Sequence, residues 1–192
     1  MSGLWTKNFQ ALKNIWLCGG AIYTMSALKD STGTLRWTLS DSQNYYAYDL
    51  PSTSPMAYAS NNPALGTSYA CGILRVGGSA ITPTTEDYNL NETLSDITYL
   101  STVNEKPVWN DSTGEVSQTA KLTIQNAGAE AVTVREWGLF VRMAKYRGSN
   151  PGEQFLIYHA TLDTPVIIAA SQSAMLTLVR TVILTDPVSW PE

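Results

Sequence analysis

Few residues of this chain have the chemistry for catalysis or metal binding. His159 is its single histidine, and its two cysteines, Cys18 and Cys71, lie far apart without CxxC spacing. A zinc site needs several His, Cys or carboxylate ligands at recognisable spacing, and a nucleophile needs a base beside it. The sequence contains neither arrangement. We therefore expect no catalytic residue, no metal site and no cofactor, and we expect the thiols to be small buried side chains, with a disulfide as the alternative.

The acidic residues form two candidate pairs, Glu86 with Asp87 and Glu130 with Glu136. Adjacent acids in a capped turn are normally solvated and favoured by the local dipole. Glycoside hydrolysis needs two carboxyl groups roughly 5–10 Å apart, and nothing in the sequence indicates that distance for Glu130 and Glu136. His159 stands in a strand-like pattern, where a histidine without a partner is usually structural. Because phosphate loops, dinucleotide fingerprints and GxSxG motifs are also missing, the sequence predicts that the protein is not an enzyme.

The composition favours β structure. Only 15% of the 192 residues are charged, against roughly 25% in average soluble domains, while 44% are hydrophobic. Hydroxyl groups supply the missing polarity, since the chain contains 22 Thr and 18 Ser. Thr, together with 10 Tyr and 6 Trp, suits a pleated and half-buried surface. A coiled coil, a disordered tail and a collagen-like chain are therefore excluded.

Charge and hydropathy limit the partners. The net charge is −4, and no basic block could neutralise a phosphate backbone, so we expect no nucleic acid. No stretch approaches the roughly 18 apolar residues of a membrane span, so we expect no membrane partner. The start, Met1–Trp5, lacks the basic and apolar regions of a signal peptide. These features predict a soluble protein made in the cytosol.

The chain that must position these residues divides near residue 70 into two units. Residues 1–69 form an irregular extension, in which the apolar spacing from Phe9 to Trp16 predicts one short helix. Leu35–Leu39 alternates and predicts a strand. Residues 40–66 are rich in Pro, Ser, Asn and Tyr, which indicates either an extended arm or an ordinary surface loop. Residues 70–192 form the second unit, a β-sandwich domain.

Short alternating runs at regular spacing define that domain. About seven strands are predicted, typical of an antiparallel β-sandwich of jelly-roll or immunoglobulin-like type. The runs are residues 71–76, 97–103, 115–125, 132–141, 154–162, 166–169 and 174–184. The residues predicted to form the core are Leu122, Ile124, Trp137, Leu139, Leu176 and Leu178.

Two connections have recognisable turn chemistry. Thr82 followed by Pro83 predicts a helix cap and a single helical turn that continues to Tyr88. Asn126–Ala129 predicts the turn of a hairpin between the strands at 115–125 and 132–141.

The strand at 132–141 contains a change of parity. Val134 has the opposite parity from Trp137 and Leu139, so strict alternation would put them on different faces. A bulge near Arg135 and Glu136 would restore one apolar face.

Three motifs in order resemble a group of tailed-bacteriophage virion structural proteins. The family pattern begins with a strand that ends in "VG.G", for which this chain has Val76-Gly77-Gly78-Ser79, and continues with "PT..DY.L...L", which residues 83–94 match. The family pattern then has "N..G..VTV.E.GLF", which this chain matches from Val132 to Phe140, with the earlier glycine at Gly128, and a close "A....PV...A...L.V...I", which the chain resembles from Ala160 through Pro165 and Val166. The resemblance covers residues 71–185 and implies a β-sandwich module of the phage particle without catalytic residues. Within it, the glutamate at position 136 is implied to be architectural. The chain departs from the pattern at Gly78 and in its long N-terminal extension.

The resulting hypothesis is a non-enzymatic virion subunit that decorates the capsid or forms a minor part of the head. Its expected location is the virion, after synthesis in the bacterial cytoplasm, and its expected partners are other virion proteins and copies of itself. The alternatives are a tail or baseplate adaptor, a carbohydrate-binding module for the host surface, and, disfavoured, a hydrolase. Aromatic side chains of the extension are the candidate interface, because Trp and Tyr dominate interface cores, although they could equally pack on their own chain. They are Trp5, Trp16, Trp37, Tyr45, Tyr46 and Tyr48.

Overall fold

Strands dominate the chain, as its Thr-rich and aromatic composition predicts. The computed structural model describes residues 3–10, 28–36, 45–46, 73–145 and 153–183. Beyond a helical turn at residues 7–10, the regular elements of these residues are all strands. They are β1 (Gly3–Trp5), β2 (Leu28–Lys29), β3 (Leu35–Arg36), β4 (Tyr45–Tyr46), β5 (Ile73–Gly77), β6 (Ile97–Asn104), β7 (Val108–Asn110), β8 (Glu115–Asn126), β9 (Val132–Lys145), β10 (Glu153–Ile168) and β11 (Ser173–Ile183).

The strands form two larger antiparallel sheets and one small hairpin. In the first sheet, β10 lies between β1 and β9, and the other edge of β9 pairs with β5 and then β4. In the second sheet, β8 lies between β11 on one edge and β6 and β7 on the other. β2 and β3 pair only with each other. The protein is therefore all-β, as predicted, while the choice between a jelly-roll and an immunoglobulin-like topology stays a prediction.

Both sheets contribute to one apolar core. The side chains of β8 alternate, so that Leu122 and Ile124 are fully buried while Lys121 and Thr123 are only partly buried. All six residues predicted for the core are buried, and they belong to one cluster. Strict alternation in several strands thus identifies the core correctly, because a strand has only two faces to choose between.

The parity change in β9 coincides with a break in register. Thr161 of β10 pairs with Glu136, but the next pair joins Val166 to Val134, so extra residues of β10 stand opposite Arg135. Val134 and Trp137 therefore both pack in the same core, although residues three positions apart in a regular strand would lie on opposite faces. The predicted irregularity lies where the sequence indicates it, with the inserted residues on β10. The predicted strands at 154–162 and 166–169 are one strand interrupted at this point.

The predicted hairpin at Asn126–Ala129 is wrong, because β8 and β9 belong to different sheets. The Asn126 side chain is fully buried and donates to the carbonyl oxygens of Glu130 at 2.7 Å and Ile168 at 3.0 Å. Its Oδ1 accepts the Gly128 amide at 2.9 Å. These bonds direct the chain from the second sheet to the first, so a turn sequence typical of hairpins makes a crossover instead.

The helical turn predicted after Thr82 is also wrong. A hydrogen-bonded turn forms there, with the Asp87 amide donating to the Thr84 carbonyl oxygen at 3.2 Å. The capping side chain is Asp87, whose carboxylate accepts the Thr84 amide at 2.8 Å and the Thr84 hydroxyl at 2.7 Å. The carboxylate satisfies these donors without the backbone continuing into a helix.

The described parts of the N-terminal extension pack on this chain itself. β1 pairs with β10, and the Thr6 amide donates to the Ile157 carbonyl oxygen at 3.0 Å. Asn8 is buried and links the Lys29 backbone to the first sheet by a bond to the Leu156 carbonyl oxygen at 3.2 Å. Residues 3–10 and 28–36 are thus integrated with the β domain. Most of residues 40–66 lies outside the described residues, as do Cys18, Cys71 and the predicted helix beyond residue 10.

Candidate functional site

The chain's one histidine lies between two carboxylates. His159 Nδ1 is 2.6 Å from Asp87 Oδ2, and His159 Nε2 is 2.7 Å from Glu136 Oε2. The side chains of His159 and Glu136 are completely buried, and that of Asp87 is 15% exposed. We call these three residues the ion cluster. Few buried polar groups occur without a defined task in a fold, so this cluster is the candidate functional site.

Irregularities in β9 and β10 bring the ion cluster to one surface of the first sheet. Opposite Phe140 and Leu139, β10 has an extra residue, Ile157, between its paired residues Leu156 and Tyr158. Ile157 and Tyr158 therefore both join the core, while His159 turns to the opposite surface. The register break beside Arg135 likewise changes which residues of β9 face the core, so that Glu136 lies on the same surface as His159. The two bulges together place a carboxylate and an imidazole side by side.

Glu136 also binds the backbone of the loop that covers this surface. We call residues 78–96, which connect β5 to β6, the cover segment. Glu136 Oε1 accepts the Glu92 amide at 2.8 Å and the Ser79 amide at 3.4 Å, and Oε2 accepts the Asn91 amide at 3.2 Å. The Glu136 carboxylate thus accepts three backbone hydrogen bonds that a neighbouring strand would otherwise accept. Because the three amides come from the beginning and the end of the cover segment, the carboxylate holds both ends of that segment.

The charges of the ion cluster perturb one another. Burial alone would lower the pKa of His159, but the hydrogen bonds and negative charges of Glu136 and Asp87 outweigh it and raise that pKa above its ordinary value. Burial alone would raise the pKa of Asp87, but hydrogen bonds from Thr84 and His159 outweigh it and lower that pKa. Both shifts favour the charged forms, an imidazolium at His159 and a carboxylate at Asp87.

A small apolar cluster lies beside the ion cluster under the same segment. Leu90 of the cover segment packs with Phe140 and Leu156 of the first sheet, and all three are buried. Two glycines make room for this packing. A Cβ at Gly77 would overlap the Glu136 carboxylate and the Glu92 carbonyl oxygen, and one at Gly138 would lie 2.6 Å from Leu156 Cδ1.

The motifs that support the phage resemblance meet at this place. "VG.G" supplies Gly77, "PT..DY.L" supplies Asp87 and Leu90, and "E.GLF" supplies Glu136 and Phe140. These motifs are separated along the chain but form one contact region in the fold. The expectation that the glutamate at position 136 is architectural agrees with its bonds to three backbone amides.

Sequence reasoning missed the partners within the ion cluster. Asp87 was expected to be solvated like Glu86, which is exposed and pairs with Lys7. That expectation is wrong for Asp87, because its partner His159 is 72 residues away along the chain. His159 was expected to have no partner and has two. The available signal was the position of His159 and Glu136 in largely apolar strand segments, where a buried ionisable side chain needs a partner.

Acid–base chemistry requires a free ring nitrogen, and His159 has none. In a Ser–His–Asp arrangement one nitrogen faces a carboxylate while the other accepts the proton of the nucleophile. Here both nitrogens face carboxylates. Among the described residues, no group of His, Cys, Asp and Glu has an arrangement that could hold a metal ion.

The candidate interface residues have different outcomes. Trp5 is partly buried on this chain, where its Nε1 donates to the Thr181 carbonyl oxygen at 2.8 Å and its ring lies 4.9 Å from that of Tyr158. Tyr45 and Tyr46 form β4, whose backbone pairs with the end of β9. Trp16, Trp37 and Tyr48 lie outside the described residues. Trp5 therefore packs on its own fold, and the interface role of the others stays a prediction.

The outward surface of the second sheet has a different character, with little charge. From Ser117 to Gln125 on β8, the residues with outward parity include one charged residue, Lys121, which pairs with Glu105 at 2.7 Å. On this surface Val103 is 58% exposed, and Val108 and Met175 are each 64% exposed. We call this the outer face. Exposed apolar side chains on a sheet face with few charges are typical of protein contact surfaces.

Comparison with protein-family models, with curated proteins and with solved structures finds no match to this chain. In the described residues, no helix is long and apolar enough to cross a membrane.

Proposed function

We propose that the protein is a non-enzymatic structural subunit of a tailed-bacteriophage particle, located at the head as a decorating or minor capsid protein. The outer face is the observation that carries the proposal. It presents Val103, Val108 and Met175 on a sheet whose neighbouring outward residues are mostly Ser and Thr. Such a surface gains free energy when a neighbouring subunit covers it, because apolar area is removed from water without stripping charges of their hydration.

The ion cluster supports a structural role. His159 and Glu136 are buried. The bond from His159 to Asp87 and the bonds that Glu136 accepts from the Asn91 and Glu92 amides fasten the cover segment to the first sheet. The ordered motifs that resemble those of phage virion proteins supply these same residues. In this proposal the motifs specify a fold suited to assembly, and the subunit's partners are other virion proteins and copies of itself.

Labelled electron microscopy tests the proposal. Particles of the phage that encodes the chain are incubated with gold-conjugated antibody against the purified protein, with pre-immune antibody as the control. Gold at the heads is the expected result. Gold confined to tails or baseplates would replace the head assignment with the tail alternative, and particles without gold, before and after mild disruption, would contradict a virion role.

A further inference from the structure

Both nitrogens of the His159 ring face carboxylate oxygens at hydrogen-bond distance, and this geometry determines how many protons the ring carries. A neutral imidazole donates from one nitrogen only, and a carboxylate without a proton can only accept. With distances of 2.6 Å and 2.7 Å, a neutral ring would force one nitrogen lone pair against a carboxylate oxygen. The doubly protonated imidazolium satisfies both contacts at once.

Among the described residues, the charged groups bonded to this ring are those of the ion cluster, and Arg75 of β5 lies on the same surface of the sheet, opposite Gly138, the strand partner of His159. On β9 the facing group is Glu136, and on the cover segment it is Asp87. β1, which pairs with His159 from the other side, contributes the uncharged Leu4 at that register. Glu86 is the sequence neighbour of Asp87, and Lys7 bonds to the adjacent Thr85 backbone, but the side chains of Lys7 and Glu86 are exposed and pair with each other. The proton on His159 is therefore controlled by the two carboxylates of the ion cluster.

Loss of that proton would weaken the hold on the cover segment. Asp87 belongs to the segment itself, and Glu136 accepts the segment's Asn91 and Glu92 amides as well as a bond from His159. Without the positive charge, two carboxylates would remain close together inside the fold, where repulsion is strong. The segment is the part of this arrangement that can move, since Glu136 and His159 lie on paired strands.

We infer that the ion cluster is a proton-dependent latch: the His159 imidazolium holds the cover segment on the first sheet, and its deprotonation at alkaline pH releases the segment. Release would uncover the buried side chains of Phe140 and Leu156, against which Leu90 packs. The raised pKa of His159 agrees with this direction and extends the closed state above pH 6.5.

Nuclear magnetic resonance of the histidine ring tests the proton count directly. The chain has one histidine, so tag-free protein labelled with ¹⁵N gives one ring to follow through a pH titration. Protons on both ring nitrogens at pH 6.5 are the expected result. A ring with a single proton at pH 6.5 would overturn the inference.

Hydrogen exchange tests the release. Above the pKa of His159, the Asn91 and Glu92 amides should lose up to tenfold in protection per pH unit, after correction for the intrinsic exchange rate, because each unit lowers the imidazolium fraction tenfold. The Leu122 amide in the second sheet is the internal reference. If protection of the Asn91, Glu92 and Leu122 amides changed equally with pH, the inference of a latch would be wrong.

Two variants separate the latch from general electrostatics. His159→Gln should abolish the pH dependence at Asn91 and Glu92, whereas Lys7→Gln, which breaks the exposed pair with Glu86, should preserve it. A His159→Gln protein that keeps the tenfold slope would contradict the role of the ring. If this variant does not fold, the titration of the unmodified protein decides the question alone.

Discussion

Glu136 is bound from four directions inside the fold, by three backbone amides and by the His159 ring. Removing a carboxylate from water is costly, and only charge-assisted bonds of this number and an adjacent cation offset that cost. The same residue holds two distant parts of the cover segment. A change at this one position should therefore affect both the proton on His159 and the stability of the protein.

Glu136→Gln keeps the size of the side chain and removes its charge. We expect the free energy of unfolding to fall by roughly 3 kcal/mol, since one partner of a buried ionic contact is lost. The pKa of His159 should fall as well, because Glu136 is a principal cause of its increase. Urea unfolding and ring titration measure the two effects. The control is Glu130→Gln at an exposed position, and equal losses in both variants would contradict this account.

The opposite pKa shifts in the ion cluster define a pH window of stability. A raised histidine pKa contributes stability that is complete below pH 6.5 and is lost as pH rises through the folded value. A lowered Asp87 pKa contributes stability that is lost as pH falls below about 3.8. Thermal unfolding across pH should therefore show declines on both sides. In His159→Gln the alkaline decline should be smaller, and an unchanged alkaline decline would assign it to other groups.

At the scale of elements, the strands follow from alternation and the connections do not. β8 was predictable because its apolar residues strictly alternate, and the break in β9 was predictable because Val134 and Trp137 have opposite parity. The crossover after β8 was not, since Asn126 and Gly128 suit a hairpin turn equally well. What decides it is the buried bond from Asn126 to the Ile168 carbonyl oxygen, a contact between residues 42 apart.

Asn126→Ala tests the importance of that crossover. The change removes both donors from buried carbonyl oxygens and should lower the free energy of unfolding by roughly 2 kcal/mol. The adjacent Gln125→Ala is a suitable control, because the Gln125 side chain makes a single exposed bond of 3.4 Å to Ser171. Denaturant unfolding compares the two. If both variants lost the same stability, the side chain of Asn126 would not direct the crossover.

At the scale of the whole molecule, the two faces of the first sheet have separate tasks. One face forms the core with the second sheet, and the other holds the ion cluster beneath the cover segment. The core was predictable from the sequence, whereas the ion cluster depends on Asp87, Glu136 and His159, which only the folded chain brings together. The outer face of the second sheet was not predictable either, because its residues come from separate strands that lie side by side only in the folded sheet.

Met175→Lys tests the outer face as an assembly surface. The side chain is 64% exposed, so the charge should change the free energy of unfolding by less than about 0.5 kcal/mol. Burial of the same charge in an interface would be costly, so incorporation into particles should fall at least tenfold. Ala129→Lys, at another exposed position, is the control for added charge. Normal incorporation of Met175→Lys would exclude this surface from the contact.

Quantitative mass spectrometry of gradient-purified phage particles tests the structural role most directly. The account predicts that the protein sediments with intact particles at a constant ratio to the other particle proteins through successive purifications. Recovery only from the unassembled fraction of the lysate, with particles that are complete and infectious without it, would contradict the account.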